Sequence, residues 1–549
     1  MKTTINKKTV TFEDGQLWSD IIDVPGALGV LVEGDSYALD DPAQENKNVT
    51  VLTYFDEEGR RIYERTLQFI FIAACNRVLP KKRVRIEHSF GNALYVNLPG
   101  TTVTWTMVNA IEQEMRNIVD ADMPIGFTET TRDEAMEYYR QAGETDKLRL
   151  LKYRNYHSFH FNELDGMKEY FYGELCPSAG YIKVFKLHLY MPGILISLPS
   201  QKDPTKLAER KDEPKMMKAY SETGRWNGIL GCENAADINE MMENKTFREF
   251  IRVNEELHSR SISDIAMAFV NSGARLICIA GPSSSGKTTF ANRLYIALRC
   301  LGLHPVTLSL DNYYRNRDEI EREPDGSIDL ERMDTLDLPL LDEHLVKLIQ
   351  GEEIDMPIFD FVTSRRMKET VKMSVEPGQP LIIEGIHGLN DALCPSVPRD
   401  MKFKIYTSAL TMINLDDHNR IRTTDARLLR RIVRDYKFRG TSPEETIAMW
   451  SSVRAGEDRW IFPFQEEADV IFNSSLAYEI PVLKAFAYDL LDAIKPESPC
   501  YTIARRIVKF LNYFYVIDVE DEIPLNSVLR EFTGGCCFYK EEPEYEIKL

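Results

Sequence analysis

The glycine-rich segment Gly281-Pro-Ser-Ser-Ser-Gly286-Lys287-Thr288 constrains the fold of this chain more than any other feature, because it fits the pattern GxxxxGK followed by Ser or Thr. In such a loop, glycines let backbone N–H groups turn inward around phosphate oxygens, and the following helix presents its positive end to the same anion. The segment follows the apolar run 276–280 and opens a stretch with helical spacing, which is the context that the pattern requires. We therefore expect a nucleotide site whose residues are Gly281, Ser283, Ser284, Ser285, Gly286, Lys287, Thr288 and Thr289.

The sequence around this loop predicts a doubly wound α/β domain. Apolar runs typical of strands recur after the loop, separated by helical stretches, at residues 305–310, 380–385, 403–406 and 469–472. Strands that are apolar throughout and alternate with helices indicate a parallel sheet covered on both faces. We assign residues 271–549 to this domain.

The N-terminal half is expected to contain separate, smaller units, because 549 residues exceed what one hydrophobic core usually organises. Residues 1–60 alternate short β-type runs with turn residues and predict a small β-rich module. Residues 61–200 mix helical and strand patterns and predict an α+β domain. A polar connector and a helix pair over 247–269 are expected within residues 201–270.

The composition and the N-terminal sequence limit the binding partners and the location that we expect for this protein. Lys and Arg number 67 and Asp and Glu 86, so the formal charge of −19 argues against a surface built broadly for nucleic acid or anionic membrane. The nine cysteines include no CxxC spacing, so a reducing cytoplasm is the simplest location. The N-terminus runs into charged residues instead of an apolar signal segment, and the early apolar run 69–75 is too short to span a bilayer.

Two acidic residues indicate which kind of reaction this phosphate loop supports. Asp311 ends the strand after the first helix, at the edge where ligands bind in open parallel sheets, and it can take the proton of an attacking hydroxyl. Glu384 ends another apolar strand and can bind Mg²⁺ together with Thr288. The chain lacks the NKxD motif of GTPases and the LSGGQ signature of transporter ATPases. These features favour phosphoryl transfer to a small acceptor.

A predicted helix ahead of Gly440 is crowded with arginines, namely Arg427, Arg430, Arg431, Arg434 and Arg439. Phosphoryl transfer depends on positioning and on electrostatic stabilisation of the charge on the transferred oxygens. We expect two or three of these arginines to close over the phosphates and the others to be structural.

Together these segments resemble the uridine kinase and phosphoribulokinase family over residues 275–485. The segments that carry the resemblance are 281–288, 310–314, 357–361, 383–385 and 427–435. The resemblance implies an ATP- and Mg²⁺-dependent kinase that phosphorylates the 5′-hydroxyl of a nucleoside, as uridine and cytidine kinases do. The catalytic residues that it implies are Asp311, Lys287, Arg431 and Arg434, and the Mg²⁺ ligands are Thr288 and Glu384. The implied acceptor-binding residues are Asp311, Tyr314, Asp329, Phe359 and Arg366.

The sequence departs from that family where pyrimidine kinases read the base. Phe359 stands where the family has Tyr, and Ser364 where it has His. Thr441 stands where the family has Arg, and Met449 where it has Gln. Each exchange removes a hydrogen-bonding group, and discrimination in a polar pocket depends on such paired groups. Phosphorylation of another small alcohol or of a sugar phosphate, as in phosphoribulokinases, therefore stays open.

The N-terminal half resembles the N-terminal part of threonyl-tRNA synthetase. Residues 1–60 resemble its TGS module, and residues 61–200 resemble its editing-type domain. The positions of that family's HxxxH pair hold Arg65 and Phe69. His157 and His160 are more typical of ordinary loop or strand residues than of metal ligands. The half is therefore expected to lack a metal site and to act in recognition, regulation or assembly.

A protein that binds tRNA through this half and senses nucleotide through the other is the alternative outside the enzyme class. The small basic run 81–85 suits that alternative, whereas the acidic balance of the chain does not. Assembly into a homo-oligomer also stays open.

Overall fold

The computed structural model describes residues 1–154, 156–321, 329, 331–360, 363, 365–517 and 519–539. The helices, in chain order, are α1 (Trp18–Ile21), α2 (Glu57–Val78), α3 (Trp105–Asp120), α4 (Arg132–Ala142), α5 (Thr145–Leu151), α6 (Pro214–Leu230), α7 (Ala235–Glu243), α8 (Phe247–Ser272), α9 (Lys287–Cys300), α10 (Leu338–Gln350), α11 (Thr423–Phe438), α12 (Pro443–Trp460), α13 (Glu479–Asp492), α14 (Tyr501–Leu511) and α15 (Arg530–Thr533). The strands are β1 (Lys2–Ile5), β2 (Lys8–Thr11), β3 (Ala27–Val32), β4 (Asp35–Tyr37), β5 (Asn48–Thr53), β6 (Arg85–Phe90), β7 (Ala93–Asn97), β8 (Ile125–Thr131), β9 (Ser158–Leu164), β10 (Met167–Glu169), β11 (Lys186–Tyr190), β12 (Gly193–Ser197), β13 (Leu276–Ala280), β14 (Val306–Ser309), β15 (Ile354–Asp360), β16 (Arg365–Met373), β17 (Leu381–Glu384), β18 (Lys402–Ser408) and β19 (Val470–Asn473). Within these residues, no helix has the length and apolar character needed to cross a membrane.

The strands of residues 1–53 form a sheet with the order β2-β1-β5-β3-β4, in which β1 and β5 are parallel and the other neighbours antiparallel. Strand β5 alternates between exposed and buried residues, so Val49 and Val51 face the core. There they pack in one cluster with the fully buried Trp18 of α1. The region is rich in β-structure, and its TGS-like assignment stays a prediction.

Helix α2 is the centre of the region that follows. Its Leu67, Ile70 and Phe71 are fully buried between α3 and the antiparallel sheet β11-β12-β7-β6. A helix that is apolar on most of its sides is typical of such a buried position. A separate antiparallel sheet, with the order β10-β9-β8, packs against α4.

The sheet that carries the glycine-rich loop has the strand order β14-β17-β13-β18-β19, and all of its neighbouring strands are parallel. In β13, Ile277 and Ile279 pack on α8 and α9, whereas Leu276 and Cys278 pack on α10. Both faces of the sheet are therefore covered by helices, which confirms the predicted α/β domain with a parallel sheet. The carboxyl ends of β13, β17 and β14 lie side by side along one edge.

One prediction about the connecting region is wrong. Residues 247–269 belong to a single helix, α8, and not to a helix pair. Its buried residues Ile251, Ile262 and Phe269 follow helical spacing and lie on one face. No glycine or proline interrupts the helix before Gly273, whose left-handed backbone ends it.

The two halves of the chain are joined by buried ion pairs that reach α11. Arg61 of α2 pairs with Asp425 of α11 at 3.2 Å. Glu64 of α2 accepts hydrogen bonds from Arg420 and Arg422, which precede α11. The helix that carries the arginine cluster is therefore anchored from the N-terminal half.

Candidate active site

The glycine-rich loop joins β13 to α9, and close contacts require its glycines. A side chain at Gly281 would overlap the carbonyl oxygen of Thr407 on β18. Gly286 has a left-handed backbone, with φ of 78°, and Val528 fills the space beside it. The loop therefore adopts the tight turn in which backbone N–H groups can surround a phosphate.

The serines of this loop are Ser283, Ser284 and Ser285, and all three line one cavity. The hydroxyls of Ser284 and Ser285 are buried and have no hydrogen-bond partner within the described part of the chain. Because buried polar groups nearly always have partners, these hydroxyls fit a ligand rich in acceptor oxygens, such as a nucleotide phosphate. The N–H of Ser283 instead donates to the Glu457 carboxylate at 2.9 Å.

Lys287 and Thr288 open α9 and border the same cavity. The Lys287 ammonium donates to the carbonyl oxygens of Gly281 and Pro282 at 2.8 and 3.1 Å. Burial lowers the pKa of Lys287, although Glu384 opposes that shift. The Thr288 hydroxyl donates to the Glu384 carboxylate at 3.3 Å. Thr288 and Glu384 thus offer adjacent oxygen atoms, the ligand type that Mg²⁺ prefers.

Asp311 lies just after the carboxyl end of β14, on the same edge of the sheet. Its N–H donates to the Ser309 hydroxyl at 3.3 Å, which caps the short turn that holds it. Its carboxyl group borders the cavity that also contains Lys287. The surrounding protein desolvates this carboxyl group and raises its pKa, an effect that Lys287 opposes. Tyr314 lines the same wall of the cavity.

Helix α11 forms part of the wall of this cavity, which has a volume of about 940 Å³. Arg431, Arg434 and Arg439 line it. All three pair with the buried Asp435, at 3.2, 2.7 and 3.6 Å respectively. One acidic residue therefore holds three cations together where phosphates would lie.

Arg427 and Arg430 of the same helix are fully buried and support the loop from behind. Arg427 donates to the Ser283 carbonyl oxygen at 3.0 Å, and its guanidinium also pairs with Glu457. Arg430 donates to the Ser474 carbonyl oxygen at 2.8 Å. Of the five clustered arginines, three therefore line the cavity and two lie in the core. The catalytic role of Arg431 and Arg434 stays a prediction.

Three residues predicted to bind the acceptor lie near the cavity without lining it, namely Asp329, Phe359 and Arg366. Arg366 holds the turn after β14, because it donates to the carbonyl oxygens of Tyr313 and Tyr314 at 2.9 and 3.0 Å. Its guanidinium also pairs with Asp337 at 2.9 Å. The ring of Phe359 lies 5.7 Å from the ring of Tyr314. These contacts place Arg366 and Phe359 behind the wall that carries Asp311.

The structure adds three acidic residues to the cavity that no sequence pattern singled out, namely Glu331, Glu457 and Glu531. Glu331 donates its N–H to the Asp329 carboxylate at 3.0 Å. Glu457 and Glu531 lie 174 and 242 residues from the loop residues that they contact. Acidic residues on helices usually face solvent, so the local sequence gives no signal for this placement.

Among the described residues, the positions that correspond to the base-reading residues of pyrimidine kinases do not line this cavity. Thr441 and Met449 do not line it. The side chain of Met449 is exposed on α12. Ser364 lies outside the described residues.

In the N-terminal half, the two positions that correspond to the HxxxH pair have structural contacts. Arg65 donates to the carbonyl oxygen of Glu174 at 2.9 Å. The ring of Phe69 packs 5.4 Å from that of Phe171. Burial lowers the pKa of His160 on β9 to about 4. Among the residues that the structure describes, no group of three or more His, Cys, Asp and Glu side chains is arranged to hold a metal ion.

A cavity that joins a phosphate loop to a carboxylate at the same edge of the parallel sheet defines a class of enzyme. It suits the transfer of a terminal phosphoryl group from a nucleotide to an acceptor that approaches from the side of Asp311. The chain is an ATP-dependent kinase of the P-loop class.

Comparison with known proteins gives the family. The model of the phosphoribulokinase / uridine kinase family matches residues 276–480. The uridine kinases of Lactobacillus johnsonii and Bacillus pumilus are 32% and 34% identical over 197 residues, which are 36% of this chain and 84% of each relative. The uridine kinase of Escherichia fergusonii is 34% identical over 199 residues, 36% of this chain and 85% of its own. The chain belongs to the phosphoribulokinase / uridine kinase family.

A solved structure described as a possible uridine kinase from Bacillus stearothermophilus aligns with 39% of this chain and 98% of its own. Its sequence identity is 17% and its TM-score 0.26, a value too low to support an inference about this chain.

Proposed function

We propose that this kinase transfers the γ-phosphoryl group of Mg·ATP to the 5′-hydroxyl of a nucleoside, giving a nucleoside monophosphate and ADP. The observation that carries the proposal is the cavity shared by Lys287 and Asp311. One side of that cavity suits nucleotide phosphates, and the other offers a base to an incoming hydroxyl. The relatives described as uridine kinases support a nucleoside as the acceptor.

In the proposed reaction, Asp311 accepts the proton of the attacking hydroxyl as the hydroxyl oxygen bonds to the γ-phosphorus. The bond between that phosphorus and the bridging oxygen of ADP breaks, and ADP leaves. Lys287 exchanges its carbonyl partners in the loop for oxygens of the β- and γ-phosphates. Arg431 and Arg434 stabilise the charge that is spread over the transferred group.

Thr288 and Glu384 would hold the Mg²⁺ ion. Their oxygen atoms suit a site in which the protein gives one or two ligands and the substrate phosphates and water give the others. When bound, Mg²⁺ neutralises charge on the phosphate oxygens. Burial raises the pKa of Glu384, while Lys287 favours its ionised form.

The charges around the cavity favour a neutral acceptor over a sugar phosphate. Asp311 and Glu331 both line the cavity, whereas the arginines of α11 that line it are already paired with Asp435. Arg366, which was predicted to bind the acceptor, instead donates to the carbonyl oxygens of Tyr313 and Tyr314 and pairs with Asp337. A second phosphate group beside Asp311 and Glu331 would face like charges.

A screen of Mg²⁺-dependent ATP consumption tests this proposal. We expect turnover with at least one of uridine, cytidine, adenosine and guanosine, and a 5′-monophosphate as product. The matched control is the 5′-deoxy analogue of the active nucleoside, which lacks the attacking hydroxyl and should not be phosphorylated. Turnover of ribulose 5-phosphate or ribose 5-phosphate without turnover of any nucleoside would replace the nucleoside proposal with the sugar-phosphate alternative.

The pH dependence of kcat/KM tests the proposed base separately. Asp311 must be ionised to accept a proton, so kcat/KM for the acceptor is expected to fall as the pH decreases through the pKa of Asp311. Because burial raises this pKa, the fall should begin above the ordinary aspartate value of about 3.9. A profile that stays flat across the whole acid range, with the protein still folded, would contradict this expectation.

For the N-terminal half, we propose a TGS-like module at residues 1–60 and a synthetase-like domain at 61–200 that support the kinase domain at 271–549. The ion pairs from α2 to α11 support this role. Two arginines of the basic run 81–85 pair with Asp417 and Glu233, which leaves less positive charge for a tRNA. We place the activity in a reducing cytoplasm, where the nine cysteines stay unpaired.

A further inference from the structure

The C-terminal segment 525–539 lies across the phosphate loop, although the proposed reaction does not use it. Val528 fills the space beside Gly286 of the loop. Cys536 and Tyr539 line the cavity. The segment therefore forms part of the wall of the cavity that the nucleotide would occupy.

Glu531 makes the closest polar contact between this segment and the loop. Its carboxylate accepts hydrogen bonds from the N–H of Thr289 at 3.2 Å and from the hydroxyl of Thr289 at 2.8 Å. Thr289 lies in the first turn of α9, where N–H groups have no partner within the helix. In a phosphate loop, those N–H groups bind the nucleotide phosphates. The carboxylate of Glu531 is thus an anion bonded to donors that a phosphate would use.

We propose that the segment 525–539 is an autoinhibitory element in which Glu531 competes with the nucleotide phosphates for Thr289. This inference rests on the proposed function, because it concerns the regulation of the same nucleotide site. The N–H of Thr289 has one hydrogen to donate, and two anions on one donor would repel each other. ATP therefore binds only when Glu531 has left Thr289.

The position of Lys287 agrees with such a closed state. Glu531 and Glu384 both interact electrostatically with Lys287. Its ammonium donates to the carbonyl oxygens of Gly281 and Pro282 in the loop. Protein carboxylates thus supply the negative charge that phosphates supply in the bound state.

The autoinhibitory element is also tied to the arginine helix. Lys437 of α11 donates to the Thr533 carbonyl oxygen at 2.6 Å. The guanidinium of Arg430 lies 5.0 Å from the ring of Phe532. Because Phe532 is fully buried, we expect Glu531 to leave Thr289 together with the backbone of the element, whose contacts with α11 then loosen. Displacement of Glu531 by a nucleotide is therefore coupled to the helix that carries Arg431 and Arg434.

The test is the affinity of the full-length protein for Mg·ADP and Mg·ATP, measured by calorimetry without any acceptor. Glu531→Gln keeps the size of the side chain but removes its charge, and we expect it to bind both nucleotides about tenfold more tightly than the wild type. Glu522→Gln is the matched control, because Glu522 belongs to the same C-terminal region and pairs with Arg248 and Arg252 outside the cavity. Its affinity should equal that of the wild type.

Hydrogen exchange of the peptide 525–539 gives a second readout that does not depend on a variant. Mg·ADP is expected to speed exchange in this peptide of the wild-type protein, because the nucleotide displaces Glu531. Equal affinities of the wild type and Glu531→Gln, or exchange that slows or stays constant, would overturn the inference and leave the kinase proposal intact. If neither protein bound either nucleotide, the proposed function itself would fail, and the inference with it.

Discussion

Asp311→Asn is expected to lower kcat by about 10²–10⁴-fold, the usual loss when a general base is removed, while Mg·ATP still binds. The asparagine side chain keeps the shape of the turn after β14 but cannot take a proton from the acceptor. Asp311 lies in the turn after β14, whereas Lys287 opens the helix after the loop, so loss of the carboxylate should affect the transfer step and not the phosphate loop. An ADP-release assay gives kcat, and calorimetry gives the Kd for Mg·ATP.

Asp400→Asn is the matched control for this substitution. Asp400 is an exposed aspartate and does not line the cavity, so its variant should keep the wild-type kcat. Turnover of Asp311→Asn close to that of the wild type would refute the role of Asp311 as the base. Loss of Mg·ATP binding in Asp311→Asn would instead assign the carboxylate to the nucleotide part of the site.

The common position of the phosphate loop, Glu384 and Asp311 at one edge of the sheet could be predicted from the sequence for a simple physical reason. Each follows a short apolar strand directly, and the carboxyl ends of parallel strands meet at one edge of a sheet. A local pattern therefore specifies a position in three dimensions. The arginine cluster could also be predicted from the sequence, because the spacing of these arginines indicates that they share one helix.

The rest of the cavity depends on packing between distant segments and has no local signal. Glu457 and Glu531 reach the loop from α12 and α15, where a glutamate usually faces solvent. Arg366 illustrates the opposite case, because the family resemblance implied that it binds the acceptor. In the structure it holds backbone carbonyls of the turn beside Asp311. The resemblance did not distinguish a residue that binds the acceptor from one that holds the backbone beside it.

Glu64→Gln is expected to destabilise the protein by about 3–5 kcal/mol near neutral pH, because it removes the acidic partner of two arginines in a buried contact between the halves. Glu64 is 6% exposed and accepts a hydrogen bond from Arg420 at 2.9 Å and another from Arg422. The amide cannot neutralise these cations, and both would remain where the halves meet. Urea unfolding followed by tryptophan fluorescence measures the change in the free energy of unfolding.

The same substitution should change how stability depends on pH. Burial raises the pKa of Glu64, but Arg422 and Arg420 more than offset that effect and lower the pKa to about 2 from an ordinary value of 4.5. A carboxyl group whose pKa is lower in the folded state stabilises it above the unfolded pKa, and that contribution is lost as the pH falls towards the folded pKa. In the wild type, a contribution on the order of 3 kcal/mol should therefore disappear between pH 4.5 and about 2.

The Glu64→Gln variant has no group to titrate at this position, so its stability should fall less steeply over the same acid range. Glu45→Gln is the matched control, because Glu45 is exposed and its substitution should change neither the stability near neutral pH nor the slope. Equal stability of Glu64→Gln and the wild type near neutral pH, with equal slopes in acid, would show that the pair does not hold the halves together. The lowered stability and the shallower slope are expected together, because both follow from one carboxylate held ionised between Arg420 and Arg422.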